Sequence, residues 1–186
     1  MTDVAPHLFW ITSRAAGSAA LVLSSVGVSM GLLMGGRFVR GRGLELRGAH
    51  ETIAVATLVA IVLHAVTLLG DSFLAPSIAD ITVPFASGYK TVWTTIGIVA
   101  GWSTIALGLS FYARRRIGQR RWRSIHRFTV LAWWLGVIHS LGEGTDAGEA
   151  WFLAMTAIVV VPALALFVVR VSGGRGASPA ATSYSR

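Results

Sequence analysis

The fold class predicted by the sequence is all-α, a polytopic membrane helical bundle with five transmembrane helices. Three observations predict it. Five stretches of 18 to 23 residues are almost free of charge. Charged residues make up 13% of the chain against 54% hydrophobic, where a soluble domain carries about a quarter charged. Fourteen of the sixteen basic residues fall in alternate connectors.

The first 14 residues form an outer N-terminal segment. The apolar runs follow at 15–36, 52–70, 91–113, 125–142 and 150–169. A helix rises ~1.5 Å per residue, so ~20 residues cross the ~30 Å hydrocarbon layer. Inside lipid each backbone amide must pair within its own segment, which makes the runs helices. Met1-Thr2-Asp3 is no basic leader and 15–36 exceeds a signal-peptide core, so the first helix is expected to be retained. Residues 71–90, with Pro76 and Pro84, read as a short amphipathic segment at the outer interface. Residues 171–186 read as a disordered tail. Gly27, Gly31 and Gly35, and likewise Gly97 and Gly101, recur at every fourth position and predict close helix–helix packing.

The connectors set the orientation. Arg37, Arg40, Arg42 and Arg47 lie in the first, seven arginines from Arg114 to Arg127 in the third, and Arg170, Arg175 and Arg186 at the end. Only Arg14 and Lys90 lie on the other side. Positive residues stay cytoplasmic, so the N-terminus is expected outside and the C-terminus in the cytoplasm, in a multi-pass bacterial inner membrane protein. The net charge of +8 is then a topology signal, and no nucleic-acid partner is implied. Without cysteine there is no disulfide, iron–sulfur cluster or thiolate zinc site.

Four of the five histidines fall on two apolar runs that both lead outward: His50 and His64, then His126 and His139. Ionisable side chains inside lipid are costly, which marks them as functional candidates. The local sequences Arg47-Gly48-Ala49-His50 and Arg123-Ser124-Ile125-His126 are alike, and each leads through an apolar run to a second histidine. Matching depths pair His50 with His126 and His64 with His139, the pairs lying ~20 Å apart along the axis. Two bis-histidine b haems, stacked across the bilayer, explain this arrangement. The angular fit is uneven. Fourteen residues turn ~1400°, only ~40° short of four turns, whereas thirteen fall ~140° short. The fourth helix must therefore deviate from ideal winding, and Gly136 is the expected position.

The histidine spacing resembles that of the ferric reductase and NADPH oxidase transmembrane superfamily. Ser13-Arg14-Ala15-Ala16 is similar to the arginine motif preceding the first histidine helix there. Val83–Tyr89 and Gly142–Asp146 are similar to segments of small bacterial ferric reductase-like transmembrane proteins. The resemblance covers about residues 8–170, so 15–170 is the expected haem domain. The larger relatives have six helices and a cytoplasmic flavin and nicotinamide domain, for which no G-x-G-x-x-G is present here. The implied function is transmembrane electron transfer through two haem b groups ligated by His50, His64, His126 and His139. The chain would be an electron-transfer subunit of an oxidoreductase. Its donor would be a separate cytoplasmic flavoprotein or membrane quinol, and its external acceptor ferric iron, a periplasmic reductase such as the methionine sulfoxide reductase that a family member feeds, or oxygen.

Arg47 and Arg123 lie one helical turn toward the cytoplasm from His50 and His126, where propionates would emerge, and Arg127 is a further candidate. Arg14 is expected at the outer haem. Two alternatives remain open: a quinol-linked cytochrome b561-like protein, and a haem-free transporter or assembly factor whose histidines carry protons or metal.

Overall fold

The structure, a computed structural model, describes residues 7–35 and 43–173. The expectations for residues 1–6, Arg37, Arg40, Arg42 and the tail beyond 173 lie outside these. All regular elements among the described residues are helices: α1 Leu8–Gly35, α2 Gly43–Leu68, α3 Ile78–Thr82, α4 Thr91–Leu109, α5 Arg114–Ile117, α6 Gln119–His126, α7 Thr129–Glu143 and α8 Ala150–Gly173.

Four of them, α1, α2, α4 and α8, are long and apolar enough to cross a membrane. α1 and α2 begin before their apolar windows and α8 runs past its own, because no breaker stops them. α4 instead ends at Leu109, short of 113, where the amides of Phe111 to Arg114 reach back only three residues. Leu8–Arg14 joins α1 smoothly, and the Thr12 hydroxyl bonds back to Leu8 O at 2.7 Å instead of interrupting it. Outside the hydrocarbon layer, polar residues cost a helix little.

The fifth apolar run departs from expectation. It is no single helix over 125–142, for α6 ends at His126 and α7 begins at Thr129. Across the junction the amides reach back three residues instead of four: Phe128 N–H to Ile125 O at 3.0 Å and Leu131 N–H to Phe128 O at 3.0 Å. Such turns wind at ~120° per residue against ~100° in an α-helix. At 15 residues, α7 is ~22 Å long, short of the ~30 Å hydrocarbon layer unless α6 or flanking residues complete the passage.

Residues 71–90 contain only the five-residue α3. A reciprocal cap starts it, with Asp80 N–H donating to the Ser77 hydroxyl at 3.2 Å and Ser77 N–H to the Asp80 carboxylate at 2.8 Å. Two bonds pin the segment to α4: the Trp102 indole donates to Thr82 O, and Phe85 N–H to the Thr95 hydroxyl, each at 2.9 Å.

The helices pack as two hairpin-like halves, α1 along α2 and α4 along α7, with α8 against α1. Between α1, α7 and α8 lies the core of Leu21, Trp133, Val137, Phe152, Val160 and Ala163. Its one large polar atom is satisfied: the Trp133 indole donates to Ser25 Oγ at 2.9 Å, and the Ser25 hydroxyl passes on to Leu21 O at 2.7 Å. Outward, Val55, Val59, Val92, Ile158 and Val161 are exposed. An apolar outer surface suits lipid as solvent and would be a liability in water.

Candidate functional site

The two halves enclose a cavity of about 1100 Å³, bounded by residues of α1, α2, α4, α7 and α8 and by His126 at the end of α6. That exceeds the roughly 300–1,000 Å³ of an ordinary small-ligand pocket. All four histidines of the two apolar runs line it, two at each end.

The rings paired by depth in the sequence face each other in the structure. His50 and His126 have ring centroids 6.4 Å apart, and so do His64 and His139. The spacing is too wide for ring contact, and its chemistry can be worked out from bond lengths. A five-membered ring with ~1.33 Å sides has a radius of ~1.1 Å. Two imidazoles on one metal at ~2.0–2.1 Å per bond therefore place their centroids ~6.3–6.5 Å apart. Both pairs fall in that window. The interplanar angles of 88° and 69° do not bear on it, since turning a ring about the line joining the pair changes the angle and not the spacing. Among the described residues, no cluster of three or more His, Cys, Asp or Glu side chains could hold a metal; the sites are pairs, suited to the two axial positions of a metal whose equatorial ligands come from elsewhere.

The His64–His139 pair, the outer one of the expected topology, is held by backbone hydrogen bonds. His64 Nδ1–H donates to Ser13 O at 2.9 Å, and the Ser13 hydroxyl returns a bond to His64 O at 3.0 Å. His139 Nδ1–H donates to Trp93 O at 2.9 Å. A carbonyl only accepts, so Nδ1 carries the hydrogen on both rings and Nε2 keeps the lone pair. This is the arrangement that orients a metal-binding histidine and raises its basicity. Glycine makes room for it. A Cβ at Gly97 would overlap the His139 ring, and one at Gly17 would stand 3.0 Å from His64 Nδ1.

The inner pair is held differently. The Nδ1 atoms of His50 and His126 make no well-aligned hydrogen bond among the described residues; the backbone of Gly27 is the polar neighbour of the first ring and that of Leu107 of the second. Trp122 instead stacks on His126, with centroids 4.9 Å apart and planes at 26°, and its own indole donates to Ser110 Oγ at 3.1 Å. Gly31 faces His50, where a Cβ would lie in ordinary contact at 3.6 Å. The glycine spacing in α1 thus serves the histidines as well as helix packing: Gly27 meets Ile53, Gly31 meets His50 and Gly35 meets Arg170.

The helix deviation required by the thirteen-residue spacing lies at Arg127–Phe128, not at Gly136. Gly136 is an ordinary helical residue with its carbonyl taken by the Ser140 hydroxyl at 2.9 Å. The break sits directly after His126, so each histidine is aimed by its own helix.

The predicted arginines separate. Arg47, Arg123 and Arg127 are all exposed, and of them only Arg127 borders the cavity, at the His50–His126 end, where it donates to Ser124 Oγ at 3.2 Å. Arg47 and Arg123 each share a helix face with their histidine, three residues on, but their side chains extend into the exposed surroundings and not into the cavity. Arg14 borders the outer end, where it forms an ion pair with Asp146 and its guanidinium stacks 4.1 Å from the Trp10 ring centroid. Its charge is already matched. A further arginine, Arg170, lines the cavity beside α1 and is missing from the sequence-based set. The end of an apolar run looks the same whether its arginine turns toward solvent or inward; only Gly35, which a Cβ would close, marks the inward path. Compared with protein families, curated proteins and solved structures, the chain has no match.

Proposed function

We propose that this chain is a transmembrane electron conduit that holds two b-type haems, one between His50 and His126 and one between His64 and His139. The observation carrying the reading is the repeated 6.4 Å ring spacing at both ends of one large cavity. The resemblance to the ferric reductase-like transmembrane proteins, stated from the histidine spacing, agrees with it. In this reading the passage formed by α6 and α7 is the fifth crossing, the N-terminus is outside, and the arginine-rich α5 and α6 face the cytoplasm.

A bound haem supplies one-electron exchange at its iron. The chain's own residues do the rest. His64 and His139 present neutral imidazoles whose proton is fixed on Nδ1 by Ser13 O and Trp93 O. Trp122 sets the plane of His126 from the cytoplasmic side. Ala54, Leu58, Ile98, Val130 and Trp133 line the cavity between the pairs and keep water out of the path. In this reading a separate flavoprotein or quinol serves as donor at the inner pair. Ferric iron, a periplasmic reductase or oxygen takes the electron at the outer pair. The protein would then act as the electron-transfer subunit of an oxidoreductase in the bacterial cell membrane.

The test is the visible spectrum and haem content of the purified full chain. The expected result is b-type bands on dithionite reduction, two haems per chain, and one haem per chain after His64→Ala or His139→Ala. A colourless protein from cells supplied with haem overturns the proposal, and with it any electron-transfer role.

A further inference from the structure

The inner end of the cavity carries positive charge with no acidic partner among the described residues, since the one ion pair found there is that of Arg14 with Asp146 at the outer end. Arg170 comes from the last turns of α8, follows twenty uncharged residues, and turns toward α1, where its guanidinium donates to Leu32 O at 3.3 Å. Gly31 and Gly35 lie one turn apart on the same face of α1; the first faces the His50 ring and the second lies against the Arg170 guanidinium. The guanidinium is therefore ~6 Å further inward than that ring, measured along α1. Arg127 follows His126 directly and borders the same end of the cavity. One guanidinium carries five N–H donors, and Leu32 O takes one.

We infer that Arg170 and Arg127 form a carboxylate-binding subsite at the inner mouth of the cavity, which takes the acidic groups of the haem proposed between His50 and His126. The inference rests on the haem reading of the preceding subsection. Two cations line this end of the cavity: Arg170 of α8, held against Leu32 and Gly35 of α1, and Arg127, which follows His126 and donates to Ser124 Oγ at 3.2 Å. A planar fork suits a carboxylate better than a point charge does. Glycine at position 35 lets the guanidinium lie directly on α1, and a Cβ there would oblige this flexible end to shift. A phospholipid phosphate offers the same acceptor chemistry, and the test below separates the two.

The experiment uses the full chain with His139→Ala, which leaves only the inner ring pair, produced without a haem supply. Haem b and its dimethyl ester, whose carboxylates are blocked, are each titrated against it while the absorbance band of the bound form is followed. The expected result is that the free acid binds about tenfold more tightly than the ester, the loss of one charge-assisted bond. Arg170→Gln should bring the two affinities together. Arg170→Lys keeps the charge but not the planar fork, so it should retain only part of the preference for the acid, and it decides the matter if Arg170→Gln does not fold. Equal affinity for acid and ester in the parent overturns the subsite and leaves the haem reading standing; it is also the outcome expected if the arginines hold lipid phosphate instead. Binding of neither form overturns the haem reading itself.

Discussion

Substituting alanine for glycine along the cavity wall should produce graded losses that follow the space each glycine leaves. At Gly97 the added Cβ would stand 2.5 Å from His139 Cε1 and 2.8 Å from its Cγ. Ordinary carbon contacts begin near ~3.5 Å, so the ring must retreat by ~1 Å. The retreat breaks the 2.9 Å bond from Nδ1 to Trp93 O and presses the ring toward His64. A 6.4 Å spacing shortened by that much no longer admits a metal between two imidazoles. The strain of overpacking adds about 1–3 kcal/mol, and the lost hydrogen bond about 1 kcal/mol. Gly17→Ala, with Nδ1 of His64 at 3.0 Å, needs a shift of only a few tenths of an ångström and should cost less. Gly136→Ala meets nothing within 4 Å and should stabilise by up to about 1 kcal/mol through helix propensity. The assay is haem per chain together with thermal unfolding in one detergent. Gly97→Ala should lose the outer haem and keep the inner one, Gly17→Ala should weaken the outer haem without abolishing it, and Gly136→Ala should keep both. Full outer occupancy in Gly97→Ala would refute the cradle.

Trp133→Phe removes the indole N–H from the buried Ser25 hydroxyl and should lower stability by about 1–2 kcal/mol; an unchanged unfolding midpoint contradicts this. The outer Nδ1 atoms have well-formed hydrogen bonds whereas the inner ones have only the looser backbone neighbours Gly27 and Leu107, so competition with free imidazole should release the inner haem first. Spectra taken during the titration of His64→Ala and His139→Ala, each keeping one site, decide the order. The Ser77 hydroxyl and N–H hold the Asp80 carboxyl below the usual carboxylate range. Its contribution to α3 is therefore present above the unfolded value near ~3.9 and fades as pH falls through the lower, folded value. Trp102 fluorescence, which reports the α3 contact, should stay constant from pH 8 to 5 and change only below about pH 4; a change near neutrality rules out Asp80 as the switch.

Much of the architecture was legible because lipid imposes simple rules. Length and apolarity marked α1, α2, α4 and α8, and helical rise alone placed the four histidines at two depths, where their rings stand in pairs with centroids 6.4 Å apart. The break at Arg127–Phe128 left no sign in the sequence. Neither residue is a helix breaker, so the turn answers to tertiary packing, and the angular misfit of thirteen residues announced a deviation without its position. Counting turns from a ligand put Arg47 and Arg123 near it in sequence, but a turn along one helix says nothing of which way a long side chain leans. Arg170 is distant from every histidine in sequence and becomes visible only when α8 lies on α1. Asp146 was readable as an outer acidic residue, and its partner was not.

Each facing ring pair has one member in the first half of the chain and one in the second: His50 and His64 come from the α1–α2 half, His126 and His139 from the α4–α7 half. Neither site exists in a nascent chain until both halves have been inserted and have met. In the haem reading, a group that joins the rings acts as a late cross-link, and its binding free energy adds to the association of the halves. The bound groups in that reading add to the α1–α7–α8 core that already joins the halves, so their supply sets how firmly the finished bundle holds together.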